Sequence, residues 1–162
     1  MYTTNPIIVL IITYNPIQNL SNYLDMLHKQ FDQIILIDNG SEPETRKIIE
    51  KQIPRRENTL KTIFKDCNLR IAMALNQGFD LVITLGYEYL IALDQDSLPM
   101  PGMIEKMLNI YTAYPKYDKT AIVAPVVEDA KAGFVTQYLR SKHPPFSNER
   151  IALIRRSKMF QL

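Results

Sequence analysis

Apolar residues fall along this chain in short β-branched runs that alternate with stretches of helical spacing. Ile7 to Thr13 (IIVLIIT) is a continuous run, the pattern of a strand covered on both faces. Asn15 then offers an N-cap and Pro16 a first-turn proline, and Leu20, Leu24 and Leu27 follow at helical spacing with Tyr23 beside them. Ile34 to Ile37 is a second run, ending in the turn sequence Asp38-Asn39-Gly40-Ser41. Ser41 and Glu44 stand at capping-box spacing and open a helix through about Lys51. Thr59 to Phe64 reads as a third strand. From Ile71 to Thr84, Ala72, Leu75, Phe79 and Val82 mark one face of a helix that Gly78 interrupts. Tyr89 to Leu93 is the fourth strand. After a turn at Pro99 to Gly102, Ile104, Met107, Leu108 and Tyr111 form an amphipathic stripe that stops before Pro115. Ile122 to Val127 reads as a fifth strand.

This alternation predicts an α/β fold, a mostly parallel sheet flanked by helices. In such sheets ligands bind outside the carboxyl ends of the strands, where the strand order reverses. With strand one beside strand four, Thr13, Tyr14, Asp38, Asp94 and Asp96 gather on one rim. Beyond Val127 the pattern weakens, which divides the chain into an α/β domain over 1–127 and a basic C-terminal segment over 128–162. Arg140, Lys142, Arg150, Arg155, Arg156 and Lys158 outnumber Glu149 between Arg140 and Lys158, with Ile151, Leu153 and Ile154 interleaved. A solvated terminal helix is the simpler reading. A basic amphipathic element facing an anionic membrane surface is the other.

Composition narrows the function classes. A chain of 162 residues, 46% of them hydrophobic, suits one domain with a sizeable core. A net charge of +2 gives no footprint for nucleic acid. Cys67 is the single cysteine, so no intrachain disulfide forms, and a reducing compartment is expected. Ile7 to Ile12 is the longest strongly apolar run, too short to cross a bilayer, and the N-terminus lacks the features of a signal peptide. The expectation is a cytoplasmic protein, with peripheral membrane contact left open.

The chemistry is concentrated in Asp94-Gln95-Asp96. Two carboxylates two residues apart, delivered by a buried strand into a loop, form a hard-oxygen site suited to Mg²⁺ or Mn²⁺. The five glycines (Gly40, Gly78, Gly86, Gly102 and Gly133) make no glycine-rich phosphate loop of either common kind. The expectation is therefore a nucleotide held through a metal. Structural alternatives stand beside each residue: an Asx-turn at Asp38, helix capping by Asp94 and Asp96, and packing by Tyr14. His28 reads as a surface residue, and His143 has no partner at metal-ligand spacing.

Three segments, IITYNP from Ile11, ILIDNGS from Ile35 and YLIALDQDSLPMPGMIEKML from Tyr89, resemble the nucleotide-binding half of a family 2 glycosyltransferase of the GT-A fold. The rhamnosyltransferase branch is the most similar, and NLRIAMALNQGF from Asn68 is a fourth, partial match. The resemblance implies transfer of a deoxyhexose such as rhamnose from a dTDP- or UDP-sugar to a surface polysaccharide or lipid-linked acceptor, metal-dependent and with inversion. It further implies that Thr13 and Tyr14 border the pyrimidine and ribose, and that Asp38 accepts from the base N3–H. Asp94 would meet the ribose or the metal's water shell, and Asp96 the ion bridging the diphosphate.

Two departures stand out. Arg70 occupies a position where the family usually has glycine; its planar fork suits a base carbonyl or phosphate, while glycine permits close backbone approach. No segment matches the later acceptor-binding half that supplies the general base, so the chain reads as an incomplete copy of that two-part pattern and the catalytic base is unassigned. A non-catalytic nucleotide-binding or interaction module derived from such an enzyme is the alternative. A sugar-phosphate nucleotidyltransferase ranks lower, because TYNPIQN stands where those enzymes carry glycines.

Overall fold

The computed structural model describes residues 7–16, 19–114, 122–124, 128–129, 134–135 and 152–155. Four parallel strands form its centre: β1 (Ile7–Thr13), β2 (Ile34–Asp38), β3 (Leu60–Phe64) and β4 (Tyr89–Asp94). Four helices, α1 (Leu20–His28), α2 (Pro43–Glu50), α3 (Arg70–Leu85) and α4 (Met103–Ala113), alternate with or follow them. Short strands β5 (Ile122–Val123), β6 (Glu128–Asp129), β7 (Phe134–Val135) and β8 (Ala152–Arg155) complete the described elements. The large sheet runs β3-β2-β1-β4-β8-β5, while β6 and β7 pair separately. No described helix is long and apolar enough to cross a membrane.

The alternation of side chains along the strands divides the core into two layers. Val9 and Ile11 of β1, Ile34 and Leu36 of β2, and Tyr89, Ile91 and Leu93 of β4 pack with Leu20, Leu24 and Leu27 of α1, Ile49 of α2, and Met107 and Tyr111 of α4. Ile8, Leu10, Ile35, Ile37 and Leu90 face the opposite way, onto Ala74, Phe79 and Val82 of α3. Both faces of β1, β2 and β4 are thus covered, as their unbroken apolar runs require. Gly78 belongs inside α3 for a packing reason. A Cβ there would lie 2.3 Å from Leu10 Cδ2, so its absence lets helix and strand approach.

From β1 the chain moves outward to β2 and β3, then returns under the sheet through α3 to place β4 on the other side of β1. The order reverses between β1 and β4, and that is where α/β sheets open a crevice.

Several expectations change. α1 begins at Leu20, with Asn19 as its N-cap residue, so Asn15 does not cap it. Asn15 instead accepts a 2.8 Å hydrogen bond from the Glu42 N–H, at the start of α2. Ser41 does not close a capping box, because its hydroxyl is spent on Asp38; Glu42 is the N-cap residue and Pro43 opens the helix. The fifth strand is two residues long at Ile122–Val123, and 125–127 lie outside the described residues. Within the basic C-terminal segment, Ala152–Arg155 is a strand rather than helix, paired antiparallel to β4 with Ile91 opposite Leu153. The backbone of this strand fills the open edge of β4, a demand that local spacing does not reveal.

Candidate functional site

Strand register brings the polar strand ends together. Thr13 is the partner of Asp38 across β1 and β2, and Ile12 is the partner of Asp94 across β1 and β4. Thr13, Asp38 and Asp94 therefore end three neighbouring strands on one rim, beside the point of reversal. They differ in exposure. Thr13 and Asp38 are each 0% exposed and Asp94 is half-buried, whereas Asp96, Arg70 and Tyr14 are open to solvent.

Asp38 organises the turn after β2. One carboxylate oxygen accepts from the Ser41 hydroxyl and the other from the Ser41 N–H at 3.3 Å. The Asn15 N–H donates to the same Ser41 hydroxyl oxygen at 2.8 Å, joining the ends of β1 and β2. This is the turn-forming role for a strand-end aspartate, and it engages both oxygens. Each oxygen keeps a further lone pair, but at 0% exposure the carboxylate reaches a bound base only if a covering neighbour moves aside.

The next turn is docked onto this one. Gly40 sits at φ +83°, and a Cβ there would fall 2.4 Å from the Cys67 carbonyl carbon. Close backbone approach thus occurs at Gly40, where glycine is present. Asn39 completes the dock: its Nδ2 donates to Asn68 Oδ1 at 3.0 Å, and its Oδ1 accepts from the Leu69 N–H at 3.2 Å. Asn68 Oδ1 also takes the Arg70 N–H at 2.9 Å. Arg70 is consequently fixed at the head of α3, with φ +68°, a left-handed conformation that favours glycine.

The acidic loop is braced from two elements. The Tyr14 N–H donates to Gln95 Oε1 at 2.9 Å, tying the loop to the end of β1. From α1, the Tyr23 hydroxyl lies 2.8 Å from the Ser97 carbonyl oxygen and 3.1 Å from that of Asp94. Gln30 Nε2 donates to the Pro99 carbonyl at 2.9 Å. Burial first, then the negative charges of Asp96 and Asp94, push the Tyr23 phenol well above the usual tyrosine range and keep it protonated. Both carboxylates thus act on one half-buried phenol. Pro16, Asn19, Leu20, Asn22, Tyr23, Met26, Gln95 and Asp96 line a pocket of about 190 Å³ beside the loop.

Among the described residues, no three His, Cys, Asp or Glu side chains cluster to hold an ion unaided. Two carboxylates on one short loop nevertheless fit a cation whose other ligands are phosphate oxygens and water, the usual mode for Mg²⁺. Strand register sets Thr13, Asp38 and Asp94 side by side on one rim, Tyr14 is tied to the acidic loop that carries Asp96, and Arg70 joins the rim through the docked turn; these six are the residues that sequence reasoning singled out. It did not find Asn39, Ser41, Asn68, Tyr23 or Gln95, which hold the loops in place. Their only signal was position: each stands within a few residues of a strand end or, for Tyr23, on a helix already read as packed.

Comparison with known proteins agrees with this geometry. An uncharacterized protein of Methanocaldococcus jannaschii is 28% identical over 103 residues, which cover 63% of this chain and 45% of that protein. Among solved structures, S. aureus TarS superposes with a TM-score of 0.66 at 17% identity, over 93% of this chain and 47% of TarS. GalNAc-T7, solved with UDP, GalNAc and Mn²⁺, superposes with a TM-score of 0.61 at 14% identity, over 93% of this chain and 35% of that one. The chain thus spans less than half the length of each of these proteins, and the superpositions establish the GT-A type of fold. The profile of glycosyl transferase family 2 matches residues 8–160, almost the whole sequence, and this chain belongs to that family.

Proposed function

We propose that this chain is the donor-binding part of an inverting, metal-dependent glycosyltransferase. It moves a deoxyhexose such as rhamnose from a dTDP- or UDP-sugar to a surface polysaccharide or lipid-linked acceptor, at the cytoplasmic face of a membrane. The observation that supports the reading is the strand register that ends β2, β1 and β4 side by side in Asp38, Thr13 and Asp94 at the point of strand reversal, with Asp96 two residues further on. The choice of deoxyhexose rests on the likeness of IITYNP, ILIDNGS and LDQDS to the rhamnosyltransferase branch.

In this reading the nucleoside lies across the ends of β1 and β2. Tyr14, at the exposed rim, stacks against base or ribose, and Thr13 supports it from below. Asp38 accepts the base N3–H once the groups that cover it have moved aside. Arg70 offers its planar fork to a base carbonyl or a phosphate. Asp94 and Asp96 hold a Mg²⁺ or Mn²⁺ ion, Asp94 also being in reach of the ribose. When bound, such an ion neutralises the diphosphate and stabilises the departing nucleoside diphosphate as a Lewis acid. An inverting displacement further needs a base facing the acceptor hydroxyl, and no described side chain is assigned that task.

Calorimetric titration with UDP and dTDP, with and without Mn²⁺, tests the proposal. Binding should require the metal and should weaken at least about tenfold in Asp96→Ala, as loss of a direct ligand demands. Metal-independent binding, or an unchanged Asp96→Ala variant, overturns it. Adding a sugar donor and acceptor separates the two forms of the reading. Turnover establishes an enzyme, and tight binding without turnover establishes a nucleotide-binding module.

A further inference from the structure

We infer that Tyr23 is a positioning residue for the acidic loop: its hydroxyl bridges the Asp94 and Ser97 carbonyls, fixing the turn that sets Asp94 and Asp96 relative to each other and hence their affinity for a divalent cation. The inference rests on the preceding reading, that these carboxylates hold the ion, and adds a residue that touches neither ion nor nucleotide.

The argument begins with the turn. Asp94 ends β4 and Asp96 lies two residues later, so the distance between their carboxylates depends on backbone that no strand constrains. The Ser97 N–H donates to the Asp94 carbonyl at 3.1 Å, closing a four-residue turn over 94–97. Tyr23 then meets both ends of this turn, the Asp94 carbonyl at 3.1 Å and the Ser97 carbonyl at 2.8 Å. A hydroxyl has a single proton, so the two carbonyl oxygens share it, and one group spans both ends of the turn.

The anchor is rigid for a reason legible in the core. Leu20, Leu24 and Leu27 of α1 are buried between sheet and helices, and the Tyr23 ring packs against the same cluster. The phenol is thus a strut from a fixed helix to an otherwise short, solvent-facing loop. Asp96 is exposed at the loop's apex and has no comparable packing of its own. Preorganisation of this kind matters most for carboxylates, because unbound they repel each other and spread apart. Groups that orient metal ligands without touching the metal commonly change affinity by about 10–100-fold when removed.

A packing role alone makes a different prediction. Tyr23→Phe keeps the ring and its burial and removes only the hydroxyl, so mere packing leaves metal affinity unchanged. The test is a Mn²⁺ titration of the full chain in the presence of UDP, followed by the electron paramagnetic resonance of free Mn²⁺. It is run on wild type, Tyr23→Phe and Asp96→Ala, with metal-free melting curves of the same samples. Tyr23→Phe should bind Mn²⁺ about tenfold more weakly than wild type while remaining folded. Equal affinity in Tyr23→Phe and wild type overturns the positioning role and leaves the metal site standing. Absence of Mn²⁺ binding by the wild type overturns both.

Discussion

Arg70 combines a strained backbone with a proposed nucleotide contact, so one substitution tests both. An L side chain at φ +68° costs on the order of 1 kcal/mol, partly offset on replacement by glycine because glycine loses more freedom on folding. Arg70→Gly should therefore raise stability by about 0.5–1 kcal/mol in urea unfolding, and at the same time weaken UDP binding. Stabilisation with unchanged affinity would show that the guanidinium does not meet the nucleotide. The departure from glycine was legible in the sequence; the backbone conformation that makes it costly was not. Nor was the burial of Asp38. A strand-end aspartate followed by Asn-Gly-Ser reads as a ligand contact with a turn former as its alternative, and only coordinates reveal that Ser41 engages both oxygens.

Elements were legible where one physical demand dominated. β1, β2 and β4 are buried on both faces, and their apolar runs state this without ambiguity. Helix starts were misread because the polar partners are distant in sequence. Asn15 and Ser41 look like local caps, yet each serves a contact more than twenty residues away, bridging the ends of β1 and β2. Gly78 is the converse case, a residue that weakens a helix reading yet lets α3 approach Leu10 of β1. Leu10 is fully buried, so its methyls can yield only by repacking against their neighbours. Gly78→Ala should cost about 1–3 kcal/mol as overpacking, measured by chemical denaturation, despite alanine's better helix propensity. A neutral or stabilising result would mean that Leu10 repacks freely.

At the scale of the molecule, the sheet extends past β4 by recruiting chain from far downstream. β8 pairs with β4, and β5 pairs in turn with β8, so sheet growth there follows neither chain order nor the parallel rule of the first four strands. Local pattern carries no trace of such pairing, which is why the basic segment read as a terminal helix. β4 is rich in buried apolar residues, and without β8 its backbone edge would be open. A variant lacking residues 151–162 should melt at lower temperature and self-associate in size-exclusion chromatography. A monomer with unchanged melting would show that the β4 edge tolerates water.

The long-range ties on the acidic loop have a consequence for how the protein comes into being. Tyr14 and Gln95 are 81 positions apart, and Tyr23 and Asp94 are 71 apart. Every described brace on that loop comes from the opening thirty residues, so closing it requires a large span of chain already synthesised. On a ribosome, an emerging polypeptide gains affinity for a ligand at this crevice only after β4 and its following turn have left the exit tunnel. On the proposed reading, a nucleotide therefore meets a competent crevice only on chains that have completed β4 and its turn, and gives no help to shorter ones.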